Sequence, residues 1–238
     1  MKIIVDQEFW DLFPEAQISV LVVKGIDNRV DESKDPLFKA MLDEATQKAK
    51  TFIGLEPFTA NPVIADWREA FGQFKTKKGA RSSIEALLKR VSQGREFYPI
   101  NPLVDIYNSI SLAYGLPCGG EDVAKIAGDL HLGMAQGGES FFPLGAESDA
   151  PALPGEICYF DKEGAICRCL NWREAQRTML TEETKDAILV MEAINQEQVE
   201  RAREAMEALQ AQIEDYFGVS GQLTHLTKAQ AVVEIESY

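Results

Sequence analysis

The stretch YPINPLVDIYNSISLAYGLPCGGEDVAKI, residues 98–126, contains a helix with clear signals at both ends. Asn101 is a favoured helix cap, and Pro102 suits the first helical position because its missing N–H would have no partner there. Gly115 and Pro117 supply a stop signal about four turns later. The sequence therefore predicts one mostly apolar helix between these signals.

Two polar side chains interrupt the apolar run of this helix. Asp105 and Asn108 share one helical face with Leu112, because residues three and four positions apart are neighbours. Buried polar groups need hydrogen-bond partners. These side chains therefore either hold neighbouring backbone or form the floor of a pocket, and the sequence leaves both interpretations open.

A glycine-rich segment after the helix is predicted to be a loop that can contact a ligand. Gly119 and Gly120 allow close backbone approach and expose amide donors, and Glu121 and Asp122 add carboxylates beside them. The alternative is a turn in which Asp122 caps a short following helix.

A second segment combines an aromatic ring with cations. Trp172 offers a stacking face, and Arg173 and Arg177, four positions apart, offer bidentate donors for an anion. The alternative is a structural clamp in which these side chains close the domain, with a salt bridge to Glu139 or Glu156.

The pattern N-P-L-V-D-I-Y-N, followed by G-L-P and G-G-E-D, resembles the central motif of the B3/B4 domain. That domain occurs in the beta subunit of bacterial phenylalanyl-tRNA synthetase and as free-standing proteins. The resemblance implies an α/β fold of the mixed α+β type, with mixed sheets packed against helices. Because the chain carries no catalytic synthetase motif, it resembles the free-standing form and not a complete synthetase. Further matches are Met134, Ala135, Gly138, Glu139, Pro154, Gly155, Glu156, Asn171, Trp172, Arg173, Arg177, Thr178, Thr184 and Glu192.

The resemblance also implies a function in tRNA editing. In the synthetase family the B3/B4 region removes wrongly attached tyrosine from tRNA, using a threonine before the second motif asparagine and a histidine after the G-x-P proline. This chain has Tyr107 and Gly119 at those positions, and Glu174 is a candidate for the glutamate that meets the phenol. An apolar pocket cannot favour an added hydroxyl, so tyrosine specificity is not carried over.

Two functions follow as expectations. The first is hydrolysis of mischarged aminoacyl-tRNA in trans by a positioned water, and the second is a non-catalytic module that binds a small molecule or a protein on the same scaffold. Aminoacyl-tRNA is the expected partner, without DNA, membrane, cofactor or metal, and the oligomeric state and the catalytic residues stay open. The predicted substrate-binding residues are Asn101, Asp105, Tyr107, Asn108, Gly119, Gly120, Glu121, Trp172, Arg173 and Glu174.

One basic segment stands out in an acidic chain. The formal net charge of −14 disfavours nonspecific nucleic-acid binding by the whole molecule. Residues 73–95 nevertheless carry seven basic residues against one acidic residue. Ser82 and Glu85 match a capping box, which predicts a lysine-bearing loop beside a helix start. The predicted RNA-binding residues are Lys75, Lys77, Lys78 and Arg81, and the alternative is a solvated surface loop.

Composition and length predict one unit over residues 1–238, with the family motifs in residues 98–194 and a long amphipathic helix over residues 195–217. Without a signal sequence or a membrane-length apolar run, the expected location is cytoplasmic. The cysteines are expected to be packing residues, with Cys167 and Cys169 on one face of a strand. Other strands are predicted at residues 2–5, 18–23, 129–135, 156–160, 165–170, 187–193, 222–227 and 231–235, and other helices at residues 7–13, 35–52, 66–71 and 82–94.

Overall fold

A computed structural model of the chain describes residues 1–236, which form two β-sheets and six α-helices. The helices are α1 Gln7–Leu12, α2 Asp35–Ala49, α3 Pro62–Phe71, α4 Ser83–Ser92, α5 Pro102–Tyr114 and α6 Gln196–Phe217. The strands are β1 Lys2–Val5, β2 Gln17–Val23, β3 Cys118–Asp122, β4 Leu130–Met134, β5 Ile157–Phe160, β6 Ala165–Arg168, β7 Arg173–Glu174, β8 Ala187–Ala193, β9 Gln222–Leu226 and β10 Val232–Glu234. This confirms the predicted mixed α/β class.

The two sheets face each other and differ in their number of strands. One sheet has six strands in the order β10-β1-β4-β5-β6-β7, and the other has four in the order β3-β8-β2-β9. The pairing is mixed, because β1 runs parallel to β4 while the other named pairs are antiparallel. No helix within residues 1–236 is long and apolar enough to cross a membrane.

The central strand β8 is buried on both of its faces. Successive side chains of a strand point to opposite sides. Leu189 and Met191 therefore pack with α5 and α6, whereas Ile188 and Val190 pack with the six-stranded sheet. Glu192 has the same parity as Ile188 and Val190, so the alternation directs its carboxyl group into the space between the sheets.

Helix α5 begins and ends as its sequence predicts. The Asn101 side chain accepts a hydrogen bond from the Val104 amide at 3.0 Å, and Pro102 occupies the first turn. Gly115 ends the helix in the left-handed conformation, with φ of 64°, which glycine adopts without steric cost. The apolar side of α5 packs against the helix-covered face of the four-stranded sheet.

The structure corrects several local predictions. Residues 119–122 form most of strand β3 and not a loop, because pairing with β8 overrides the low strand propensity of glycine and acidic residues. Asp122 still caps the short 3₁₀ turn Val123–Lys125, as the alternative predicted. Strand β6 ends at Arg168, so Cys169, with φ of 46°, lies beyond it and does not share a strand face with Cys167.

The predicted capping box at the start of α4 is also wrong. The side chain of Ser82 caps no helical amide, and the carboxyl group of Glu85 instead accepts hydrogen bonds from Arg68, with Nη2 to Oε1 at 2.6 Å. Helix α3 begins at Pro62, about one turn before the predicted start at Asp66, because Pro62 is itself a favourable first helical residue.

Candidate functional site

A cavity of about 520 Å³ opens between the two sheets, and we call it the large cavity. Its size lies within the range of small-molecule sites. Helices α4 and α5, strands β3 and β8, and residues 171–174 contribute its walls, and the loop at residues 143–144 contributes to its lining. Twelve of its twenty lining residues were not among the predicted contacts of a substrate. They include Ser83, Leu87, Cys118, Leu130, Leu144, Tyr159, Cys167, Asn171, Val190 and Glu192.

Eight of the ten predicted substrate-binding residues line the large cavity. They come from three separate parts of the chain that the fold brings together. Their contact with a substrate stays a prediction. They are Tyr107, Asn108, Gly119, Gly120, Glu121, Trp172, Arg173 and Glu174.

The other two predicted residues, Asn101 and Asp105, lie outside the lining of the cavity. Asn101 caps α5 and also accepts a hydrogen bond from Nδ2 of Asn28 at 3.1 Å. Asp105 accepts a hydrogen bond from the Ile100 amide at 2.8 Å, and burial raises its pKa to about 6. Both side chains therefore hold neighbouring chain segments, as the alternative interpretation predicted for Asp105.

Glu192 is the most buried carboxyl group of the large cavity. The hydroxyl of Tyr159 donates to its Oε1 at 2.8 Å, and Nδ2 of Asn171 donates to its Oε2 at 3.4 Å. Burial raises the pKa of Glu192 to about 7, although both donors oppose that shift by favouring the charged form. This carboxyl group therefore changes charge near neutral pH.

Glu174 and Glu121 form a second acidic group in the same cavity. Burial raises the pKa of Glu174 to about 7, against the opposing effect of the Gly120 amide. Burial and the charge of Glu174 raise the pKa of Glu121 well above its usual range, and Oε2 of Glu121 has no hydrogen-bond partner among residues 1–236. Two neighbouring carboxyl groups cannot both ionise easily, so Glu121 keeps its proton while Glu174 titrates.

The cysteines of the cavity are poor nucleophiles. Cys118 and Cys167 are buried, and burial raises the pKa of both thiols well above the usual range. The reactive form of cysteine is the thiolate, which is scarce at neutral pH under these conditions. Across the described part of the chain, no three His, Cys, Asp or Glu side chains are arranged to hold a metal ion.

An aromatic residue and a cation stand at the edge of the cavity. The guanidinium group of Arg173 lies 4.9 Å from the centroid of the Trp172 ring, and Arg173 is exposed. Arg173 forms no ion pair with any residue in the described range, and Arg177 pairs with Asp161 and Glu163. Neither arginine therefore forms the salt bridge to Glu139 or Glu156 that the clamp alternative named. It is Arg168 that pairs with Glu156. The free guanidinium group can therefore meet an anionic part of a ligand.

The basic loop, residues 75–81, is attached to the wall of the cavity. The Lys75 amide donates to the Gly155 carbonyl at 3.2 Å, and the Lys77 amide donates to the sulfur of Cys169 at 3.5 Å. Cys169 lies two residues before Asn171, whose carbonyl accepts a hydrogen bond from the Ser83 amide at 3.2 Å. The side chains of Lys75, Lys77, Lys78 and Arg81 are exposed.

The residues that sequence reasoning missed had weak local signals. Glu192 matches the family pattern but was not predicted as a site residue. Its charge within the apolar strand AILVMEA could have marked it as one. Tyr159 gave no such signal, because an aromatic residue in a buried strand is ordinary. Its role depends on the distance to Glu192, which only the tertiary structure defines.

The model of the B3/4 domain family matches residues 66–228, which is more than half of the chain. The chain belongs to the B3/4 domain family. The match begins within α3 and ends after β9, so it includes every element that lines the large cavity. This confirms the resemblance read from the motifs around α5.

This B3/4 domain is also similar to a solved structure, an N-terminal fragment of the phenylalanyl-tRNA synthetase beta subunit from Pyrococcus horikoshii. The TM-score is 0.48 at 15% sequence identity, over 93% of this chain and 49% of that fragment. The chain therefore spans about half the length of the fragment. No curated protein matches its sequence.

Proposed function

We propose that this B3/4 domain binds aminoacyl-tRNA and hydrolyses the ester bond of a mischarged aminoacyl group in the large cavity. The observation that carries the proposal is Glu174, a carboxyl group at the cavity wall with a pKa of about 7, whose Oε1 lies over Gly119, 2.8 Å from where a Cβ of that residue would be. A general base works best when its pKa is close to the working pH. Membership of the B3/4 family and the exposed basic loop support tRNA as the carrier of the substrate.

The proposed reaction uses water as the nucleophile. Deprotonated Glu174 accepts a proton from a water molecule, and the water oxygen attacks the carbonyl carbon of the ester. The bond between that carbon and the ribose oxygen breaks, and the ribose oxygen leaves as a hydroxyl group after taking the proton from Glu174. Glu121, which burial keeps neutral, has an oxygen without a partner and can donate a hydrogen bond to the developing oxyanion.

Two further side chains have roles in holding the substrate. The side chain of Asn108 lines the cavity and has no hydrogen-bond partner among the described residues, so it can bind the amino or carbonyl group of a ligand. Arg173, over the ring of Trp172, can bind a phosphate of the tRNA end. Tyr107 fills space on the cavity wall and thereby limits the size of the aminoacyl side chain.

The test is release of amino acid from a panel of correctly and incorrectly charged tRNAs. We expect release from a mischarged species by the wild type, with a rate that rises as the pH passes about 7 because Glu174 loses its proton there. Glu174→Gln, Asn108→Ala and Arg173→Ala should each reduce release. Glu204→Gln is the matched control, since Glu204 is exposed on α6 and does not line the large cavity.

The RNA contact is tested separately by replacing Lys75, Lys77 and Lys78 together with Gln. The triple variant should retain tRNA less well at low salt, because phosphate contacts dominate nucleic-acid affinity. Unchanged retention would remove the basic loop from the proposal.

A non-catalytic binding module is the second candidate. It is favoured by the net charge of −14 and by Tyr107 and Gly119, which replace the threonine and histidine of the synthetase pocket. Absence of release across the whole panel, together with binding of an amino acid or nucleotide to the cavity, would support this candidate over hydrolysis.

A further inference from the structure

A second cavity of about 230 Å³, which we call the small cavity, lies between α3 and α4. It is separate from the large cavity, because the two share no lining residue. The polar and charged residues that line it are Trp67, Arg68, Thr76, Arg81, Ser82 and Glu85.

Two buried hydrogen-bonding groups of the small cavity have no partner in the protein. Nε1 of Trp67 and Oγ of Ser82 make no hydrogen bond within residues 1–236, and each residue is only 1% exposed. The indole N–H can only donate, and the hydroxyl group can also donate. Leaving such groups unpaired costs folding free energy, so a buried site with two free donors is suited to a ligand that accepts hydrogen bonds.

The charges around the small cavity favour an anionic ligand. Arg68 and Arg81 line it with two guanidinium groups, opposed there by Glu85 alone. Glu85 is bound by Arg68, while Nε of Arg81 lies 3.7 Å from Oε1 of Glu85 and its side chain is 49% exposed. Nη1 of Arg81 donates to the Ala80 carbonyl at 2.7 Å, and its remaining N–H groups can turn to a ligand. The lysines of the basic loop flank Thr76 in the chain.

The start of α4 contributes a positive electrostatic potential at the small cavity. Ser82 is the N-cap of this ten-residue helix, but its side chain makes no capping hydrogen bond. Helix N-termini carry a partial positive charge that attracts phosphate groups. The Ser83 amide of α4 is already bonded to the Asn171 carbonyl, so the helix contributes its charge and not that amide. The helix start, the two free donors and the two guanidinium groups thus converge on one cavity.

We propose that the small cavity is a phosphate site that holds a backbone phosphate of the bound RNA. The inference rests on the proposed function for the identity of the RNA, but the cavity itself is argued from its own donors and charges. Ser82 lines the small cavity and Ser83 lines the large one, so the start of α4 separates the two sites by one residue. A tRNA end could then occupy both cavities with one anchored phosphate beside the aminoacyl group.

The first experiment uses inorganic phosphate as the probe and needs no turnover. The midpoint of thermal unfolding is measured in sodium phosphate and in sodium chloride of equal ionic strength. Phosphate should raise the midpoint of the wild type, and Ser82→Ala and Arg81→Gln should lose that rise. Ser82→Ala removes a hydroxyl group that has no partner, so it should fold as well as the wild type in chloride. Arg95→Gln, in the same basic segment but beyond the other end of α4, should keep the full rise.

The second experiment measures binding of uncharged tRNA at several salt concentrations. Ser82→Ala should weaken binding about tenfold, and Arg81→Gln should lower the salt slope by about 1. A phosphate effect that persists in both variants would overturn the site. A phosphate effect that both variants lose, with unchanged tRNA affinity, would overturn RNA as the source of the phosphate. The hydrolase proposal is tested separately by the release assay, where unchanged release by Glu174→Gln would contradict it.

Discussion

The hydroxyl of Tyr159 on β5 donates a 2.8 Å hydrogen bond to Oε1 of Glu192 on β8, and this bond joins the two sheets across the large cavity. Both residues are buried, with exposures of 5% and 3%. The bond fixes one oxygen of a carboxyl group whose pKa burial has raised to about 7. The position and the charge of Glu192 therefore depend on packing between the two sheets.

Replacing Tyr159 with Phe tests this bond. The variant leaves Oε1 of Glu192 without its donor, so we expect the free energy of unfolding to fall by about 1 to 3 kcal/mol at pH 8. The pKa of Glu192 should also rise further, since the hydroxyl favours the charged form. Urea unfolding measures the stability, with Tyr98→Phe as control, because Tyr98 is exposed and its hydroxyl bonds Glu96 at the surface. Equal stability of the Tyr159→Phe variant and the wild type would contradict the expectation.

The raised pKa of Glu192 predicts a loss of stability as the pH increases. The unfolded chain loses its proton near 4.5, whereas the folded protein keeps it until about 7, so the free energy of unfolding falls between these values. A shift of this size corresponds to about 3 kcal/mol. Glu192→Gln cannot ionise, so its stability should fall less between pH 4.5 and pH 8, and urea unfolding across that range measures the difference. The same pH dependence in both proteins would refute the assigned shift.

Replacement by alanine should lower the stability strongly at one of two neighbouring glycines of β3 and only slightly at the other. A Cβ on Gly119 would lie 2.8 Å from Oε1 of Glu174, while a Cβ on Gly120 would lie 2.6 Å from Cδ2 of Leu189 and 2.8 Å from Cδ1 of Leu180. Gly120→Ala should cost about 1 to 3 kcal/mol of stability, because it overpacks a closed core.

Gly119→Ala should instead leave the stability within about 1 kcal/mol of the wild type, because the flexible carboxyl group of Glu174 can move away. It should nevertheless reduce amino-acid release, since it displaces the proposed base. The two variants are compared by urea unfolding and by the release assay. A larger stability loss for Gly119→Ala than for Gly120→Ala would show that the two strand faces are assigned wrongly.

The buried ion pair of Arg168 and Glu156 should be essential for folding. Their side chains are 3% and 0% exposed, and Arg168 also donates to the Ala150 carbonyl at 2.9 Å. Arg168→Met leaves an unpaired carboxylate in the core, which should cost about 3 to 5 kcal/mol. Arg29→Met removes the ion pair with Asp27 at the surface, where solvent screens both charges, so its cost should be much smaller. Comparable losses in thermal or urea unfolding would contradict the difference in burial.

Local signals were sufficient for the regular elements and insufficient for β3. The run Ala187–Ala193 is apolar enough to be recognised as a buried strand, and its predicted bounds agree with β8. Gly119 and Gly120 have little intrinsic preference for a strand, and their extended conformation comes from pairing with Val190 and Leu189. Pairing between distant segments cannot be read from the residues of one segment alone.

The residues of the candidate site were likewise predicted only in part. The motif pattern placed Tyr107, Asn108 and the 119–121 segment near a pocket, because family motifs concentrate around binding sites. It also included Asn101 and Asp105, which serve the end of α5 instead. The distinction requires the direction of each side chain, and periodicity gives only the face of the helix.

The capped helix α5, the apolar strands and membership of the B3/4 family could be predicted from the residues alone, because these depend on neighbouring residues and on ordered motifs. The meeting of Tyr159, Glu174 and Glu192 in one cavity between two sheets comes from tertiary packing, because these residues are far apart in the chain. Tertiary packing also decided their protonation, since a pKa depends on how much water and which charges surround a group after folding. The same holds for the unpaired donors of Trp67 and Ser82, whose lack of partners is a property of the packed core.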